Sequence, residues 1–150
     1  MTKILDSKDM VSEQELVNVE KQLNIKLPDS YRDFLKKHNG GYPQPDGFDF
    51  ASGDDGSSVD QFLEISDSKN ANLMTFFNKY KNRIPKNYVP IAIDPGGNLI
   101  LIGVNGEKAE VYFWDHENEV DDGDVPGMEN MHLIALSFYD FINNLYEIEV

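Results

Sequence analysis

The side chains in this sequence whose types could carry chemistry are three histidines, two acid-rich stretches and a pair of adjacent serines, and spacing decides what each can do. His38, His116 and His132 stand far apart, without the i, i+4 interval that brings two imidazoles onto one helix face to hold a metal. Asp115-His116-Glu117 offers three ligand types in a row. Alternation along a strand sends such neighbours to opposite faces, and no second histidine or cysteine lies at ligand spacing, so a solvated strand end is expected there. Neither acid-rich stretch, 46–60 or 115–129, fits the calcium-loop pattern D-x-[DN]-x-[DN]-G with a closing glutamate. Ser57-Ser58 has no nucleophile-elbow sequence around it and no nearby base, and the absence of cysteine excludes thiolate chemistry and disulfides. Gly96-Gly97 precedes a strand and not a helix, which makes it a turn rather than a phosphate cradle. No catalytic residue, cofactor site or metal site is expected, and the protein is not expected to be an enzyme.

Charge points elsewhere. Thirteen Lys and Arg against twenty-seven Asp and Glu give a net charge of −14 over 150 residues. Such a surface repels nucleic-acid phosphates and anionic membranes and steers a basic partner towards it, while the same acidity also serves solubility. The N-terminal MTKILDSKDM has neither the apolar run of a signal peptide nor a membrane-length span, so a cytoplasmic location is expected.

The elements that must position these groups centre on residues 85–119. Leu99-Ile100-Leu101-Ile102 runs without polar interruption between the turn residues Asp94-Pro95-Gly96-Gly97 and Asn105-Gly106, as a strand covered on both faces does. The following strand alternates Val111 and Phe113 with Tyr112 and Trp114. Three antiparallel strands in a meander are the economical reading. Ahead of them, Ser12 to Glu15 forms a capping box that opens a helix carrying Leu16, Val19 and Leu23. Pro28 suits the first turn of a second helix bearing Tyr31, Phe34 and Leu35, and Gly40 can stop it. Ser68 or Asn70 is expected to cap a third helix with Leu73, Phe76, Phe77 and Tyr80, closed by Pro85. Ser137 caps a last one with Phe138, Phe141, Ile142 and Leu145. Residues 42–56 read as a loop or a short irregular hairpin, and 115–129 as an exposed loop kept hydrated by like charges. The expected fold class is α+β: one domain over 1–150, with an antiparallel central sheet of about four to six strands under an N-terminal helical hairpin and a C-terminal helix.

Ile25 to Gly41, IKLPDSYRDFLKKHNGG, resembles the opening signature of the SMI1/KNR4 family of the SUKH superfamily. So do Pro90-Ile91-Ala92 before Asp94, Gly96-Gly97-Asn98, the run VYFWDHE from Val111, and Ser137-Phe138 leading to Phe141-Ile142. The resemblance implies a non-catalytic protein-binding module. Bacterial members are typically immunity proteins that bind and neutralise a cognate toxin domain, often a nuclease. Fungal relatives look like regulatory or scaffold proteins of cell-wall synthesis and signalling with long tails, which this sequence lacks, and the expectation is therefore the bacterial role. The partner expected is a basic protein, a cognate toxin domain, occluded by an acidic inhibitor; no nucleic acid or membrane is expected, and the state is a monomer or weak homodimer.

The expected contact residues are Asp46, Phe48, Asp49, Phe50, Asp54 and Asp55 in the first acidic loop. Trp114, Glu117, Glu119, Asp121, Asp122 and Asp124 are those expected at and beyond the exit of the last meander strand. No family motif marks them; charge, aromatic content and expected exposure do. Trp114 has two readings, a core aromatic on the sheet or an interface anchor beside acids, and the same two apply to Phe48 and Phe50.

Overall fold

A computed structural model describes residues 2–67, 70–106, 109–121 and 123–148. In chain order the elements are β1 (Lys3–Leu5), α1 (Glu13–Leu23), α2 (Asp29–Lys37), β2 (Tyr42–Gln44), β3 (Gly47–Asp49), β4 (Gly56–Ser58) and β5 (Gln61–Phe62). There follow α3 (Leu73–Tyr80), β6 (Tyr88–Ile93), β7 (Leu99–Gly103), β8 (Val111–Trp114), a 3-10 turn (His116–Asn118), β9 (Met131–Ala135) and α4 (Phe138–Asn143).

The expected meander is present and extends to a five-stranded antiparallel sheet in the order β5-β6-β7-β8-β9. Leu99 pairs with Ile93 on one side and Trp114 on the other, and the ladder shifts register once between Pro90 and Ala92. Every residue of β7 is buried, because its two faces meet two different cores. Ile100 and Ile102 join the larger one with Leu16, Tyr31, Leu35, Phe113, Phe138 and Phe141, so α1, α2 and α4 cover that face. Leu99 and Leu101 point the other way, to Ile84, Trp114 and Met131, with Phe76 and Tyr80 of α3 packed against them. A strand sandwiched in this way has no wet side, which is why its sequence shows no alternation.

Local chemistry fixes the helix ends. Ser12 Oγ accepts from Glu15 N while Glu15 Oε1 accepts from Ser12 N, the reciprocal capping box. Ser137 Oγ accepts from Asp140 N at the start of α4. The cap of α3 differs from expectation: Asn72, not Asn70, accepts from Met74 N and Thr75 N. Ser68, the other expected cap, lies outside the described residues. Tyr31 is fully buried and its hydroxyl has no hydrogen-bond partner among the described residues, and this burial pushes its pKa well above the usual tyrosine value.

Of the stretch expected as a loop or irregular hairpin, residues 47–58 form a hairpin, with Phe48 opposite Ser57 across β3 and β4, while 42–44 are β2. The N-terminus contributes β1, paired with β2, which composition did not announce. Both outer strands of the sheet are partly covered. Phe62 of β5 donates its N–H to Gly41 O (2.8 Å), and Leu133 O of β9 accepts from Ala51 N (2.7 Å).

Candidate partner-binding surface

Both acid-rich loops leave the same end of the sheet, and one buried carboxylate joins them. Asp94 closes the β6–β7 turn: its Oδ1 accepts from Gly96 N (3.0 Å) and Asn98 N (2.7 Å), and Gly97 takes the positive φ of 85° that the reversal needs. Its Oδ2 accepts from Asn98 Nδ2 (3.2 Å) and from Ser57 Oγ (2.9 Å) on β4, which ties in the first loop. Asn98 Oδ1 accepts from His116 N (3.0 Å), and His116 Nε2 donates to Gly96 O (3.1 Å), which ties in the second. Asp94 is only 6% exposed, so these bonds form where water competes little.

The first loop is held by its phenylalanines. Phe48 lies 6.0 Å from Phe141 and 6.2 Å from Phe113, ring centre to ring centre, and Phe50 stacks on His132 at 4.7 Å. Their exposure as partner anchors is therefore corrected: Phe48 is 3% and Phe50 7% exposed, because the hairpin folds its aromatic side onto the sheet. The acids face outward. Asp49, Asp54 and Asp55 are exposed and Asp46 is half-buried. Asp49 Oδ1 accepts from Tyr146 Oη (2.6 Å), and the Ser52 hydroxyl bonded to Asp54 holds that carboxyl below its usual range.

The second loop is held at its two ends. Asp115 caps the 3-10 turn by accepting from Glu117 N (3.0 Å), and its backbone exchanges bonds with Asn130. Glu119 is half-buried and forms a two-pronged pair with Arg83 (2.6 and 3.0 Å), which lowers its pKa. Arg83 in turn lies 4.6 Å from the Tyr80 ring centre and 5.8 Å from that of Trp114. Trp114 is fully buried beneath this group, so of its two readings the core one holds and the interface one is corrected. Glu117, Asp121 and Asp124 are exposed, and Asp122 lies outside the described residues.

Sequence reasoning missed two residues here. Tyr146 pairs with Gly47 through backbone bonds in both directions (2.8 and 2.9 Å), carrying the C-terminal segment alongside β3. Tyr146 and Ile148, 41% and 43% exposed, line a shallow cleft with Asp49, Asp54 and Asp55. The apolar, acidic, apolar alternation of Tyr146-Glu147-Ile148 was the available signal. What the surface offers is a carboxylate rim beside a small apolar patch.

The comparisons with known proteins agree with this scaffold. Residues 10–144 match the SMI1 / KNR4 family (SUKH-1). The chain belongs to that family. A SPbeta prophage-derived uncharacterized protein of Bacillus subtilis (strain 168), YokK, is 30% identical over 151 residues, covering 89% of this chain and 74% of the relative. The SMI1/KNR4 fold accounts for the α+β arrangement, and no helix among the described residues is long and apolar enough to cross a membrane.

Proposed function

We propose that this SMI1/KNR4 protein is a single immunity-type binding module that neutralises a cognate toxin, a basic, nuclease-like class of domain being excluded from its substrate by the acidic end of the sheet. The observation that carries the proposal is the joining of both acidic loops through Asp94, since it brings the bases of two separate runs of carboxylates to one end of the sheet. Family membership supports a protein-binding role, and the relative found is bacterial. The net charge of −14 favours a basic partner, because complementary fields raise association rates and suppress wrong partners. The apolar contact within the carboxylate rim is assigned to Tyr146 and Ile148, in place of the buried phenylalanines.

The test is co-expression with the neighbouring gene product, scored by rescue of growth and co-purification, followed by binding kinetics. Reversing Asp54 and Asp55 to lysine, or Asp121 and Asp124, is expected to slow association by about tenfold at low salt, with the difference shrinking as salt screens the field. Unchanged association rates for both double variants would show that the acidic end is not the contact surface. Co-purification with a harmless regulatory protein, and no growth rescue, would favour the scaffold-type role instead.

A further inference from the structure

Away from the acidic end, beyond the β5 edge, an open cleft of about 610 Å³ lies between residues 7–10, the start of α1, Asn39 and residues 64–67. Asn39 builds its floor. Its Nδ2 donates to Asp9 O (3.2 Å) and Ile65 O (2.8 Å), and its Oδ1 accepts from Ile65 N (2.8 Å), so one amide clamps two walls together. Gly40 adds a close approach: at φ +73°, a Cβ there would stand 2.8 Å from Glu64 Cβ.

Glu64 lines this cleft at 8% exposure, and its Oε2 is buried without a hydrogen-bond partner among the described residues. A buried carboxyl oxygen left without a donor is unfavourable by an amount comparable to a lost hydrogen bond or more, so native proteins seldom keep one without a use. Asp9, Glu15 and Asp67 line the same cleft, against Lys8 as the cation among its lining residues. Among the described residues no ion pair is formed by Glu64.

The geometry points to a binding site for a guanidinium group, presented by an arginine side chain of a partner protein. Such a group brings five donors in a planar fork, enough to meet the carboxylates of the rim and, once the Glu64 side chain turns its buried Oε2 towards the cleft, that oxygen too, and it sheds water more readily than an ammonium. The site is separate from the acidic end and does not depend on the toxin reading.

The full chain, titrated with N-acetyl-arginine amide and followed by amide NMR shifts, is expected to respond at Asn39, Ile65 and Ser66, and the lysine analogue to bind at least fivefold more weakly. Glu64→Gln keeps the shape and is expected to weaken the arginine probe by about tenfold, as loss of a charge-assisted bond does. The same variant is expected to raise the thermal midpoint by about 2–4 °C, because the unpartnered carboxyl is gone. A purely structural Glu64 predicts the opposite shift in stability. Asp54→Lys at the acidic end is expected to leave the cleft response unchanged, which separates failure of this site from failure of the toxin-binding surface. Equal binding of arginine and lysine probes, shifts confined to the exposed loops, or wild-type affinity in Glu64→Gln would each overturn the assignment, and the first two need no variant to fold.

Discussion

The two acid-rich loops have similar composition and opposite construction. Residues 46–58 place Phe48 and Phe50 in the core and pair β3 with β4, so the acids ride on a hairpin whose position is set by buried rings. Among the described residues of 115–129 no side chain is buried, and the loop is held by a 3-10 cap, by the Asn130 bonds and by the Arg83–Glu119 pair. Apolar burial is worth several kcal/mol per large side chain, whereas a partly exposed ion pair is worth less than about one. Similar charge thus rests on one strong and one weak foundation, and the first loop is the better preorganised half of the surface.

That contrast can be broken most directly at Phe48. Phe48→Ala is expected to lower unfolding free energy by about 3–5 kcal/mol in urea titration, through lost burial and the cavity left behind. A loss under 1 kcal/mol would mean that the hairpin is not anchored as described. Next comes Asp94→Ala, expected to remove about 2 kcal/mol by leaving buried donors unpaired. It should also speed hydrogen exchange at His116 N, whose acceptor Asn98 is positioned by Asp94; unaltered exchange there would remove the link between the loops. Glu119→Gln is expected to remove only about 0.2–1 kcal/mol, since Arg83 is 40% exposed. Because the folded pKa of Glu119 lies below its ordinary value of 4.5, that contribution is present above pH 4.5 and fades as pH falls through the folded value. A wild-type advantage that grew on acidification would contradict the pairing. Least of all, Asp121→Lys with Asp124→Lys should change stability by no more than about 0.5 kcal/mol, sharpening the claim that these acids serve contact and not folding.

The strands of the meander were legible because burial on both faces leaves an unbroken run, Leu99 to Ile102, and because the two turns carry their own residues. Capping was legible at Ser12 and Ser137, where the cap is encoded within four residues. Phe48 and Phe50 were misjudged as possible anchors because Pro, Gly and Asp around them announce a loop, while their burial depends on Phe113, His132 and Phe141 far along the chain. Alternation assigned Trp114 to a face of β8, yet only the placement of α3 and Arg83 shows that this face is roofed. The cleft around Glu64 was illegible for the same reason, since segments from four parts of the chain build it.

The covered margins of the sheet restrict how any binder can approach. Gly41 occupies a hydrogen-bonding position beside β5 and Ala51 one beside β9, so a visiting segment cannot simply line up as a sixth strand without displacing them. The same obstruction discourages copies of the protein from zipping together into fibres at high concentration. Recognition is thereby left to side chains and to shape, where charge can discriminate one visitor from another.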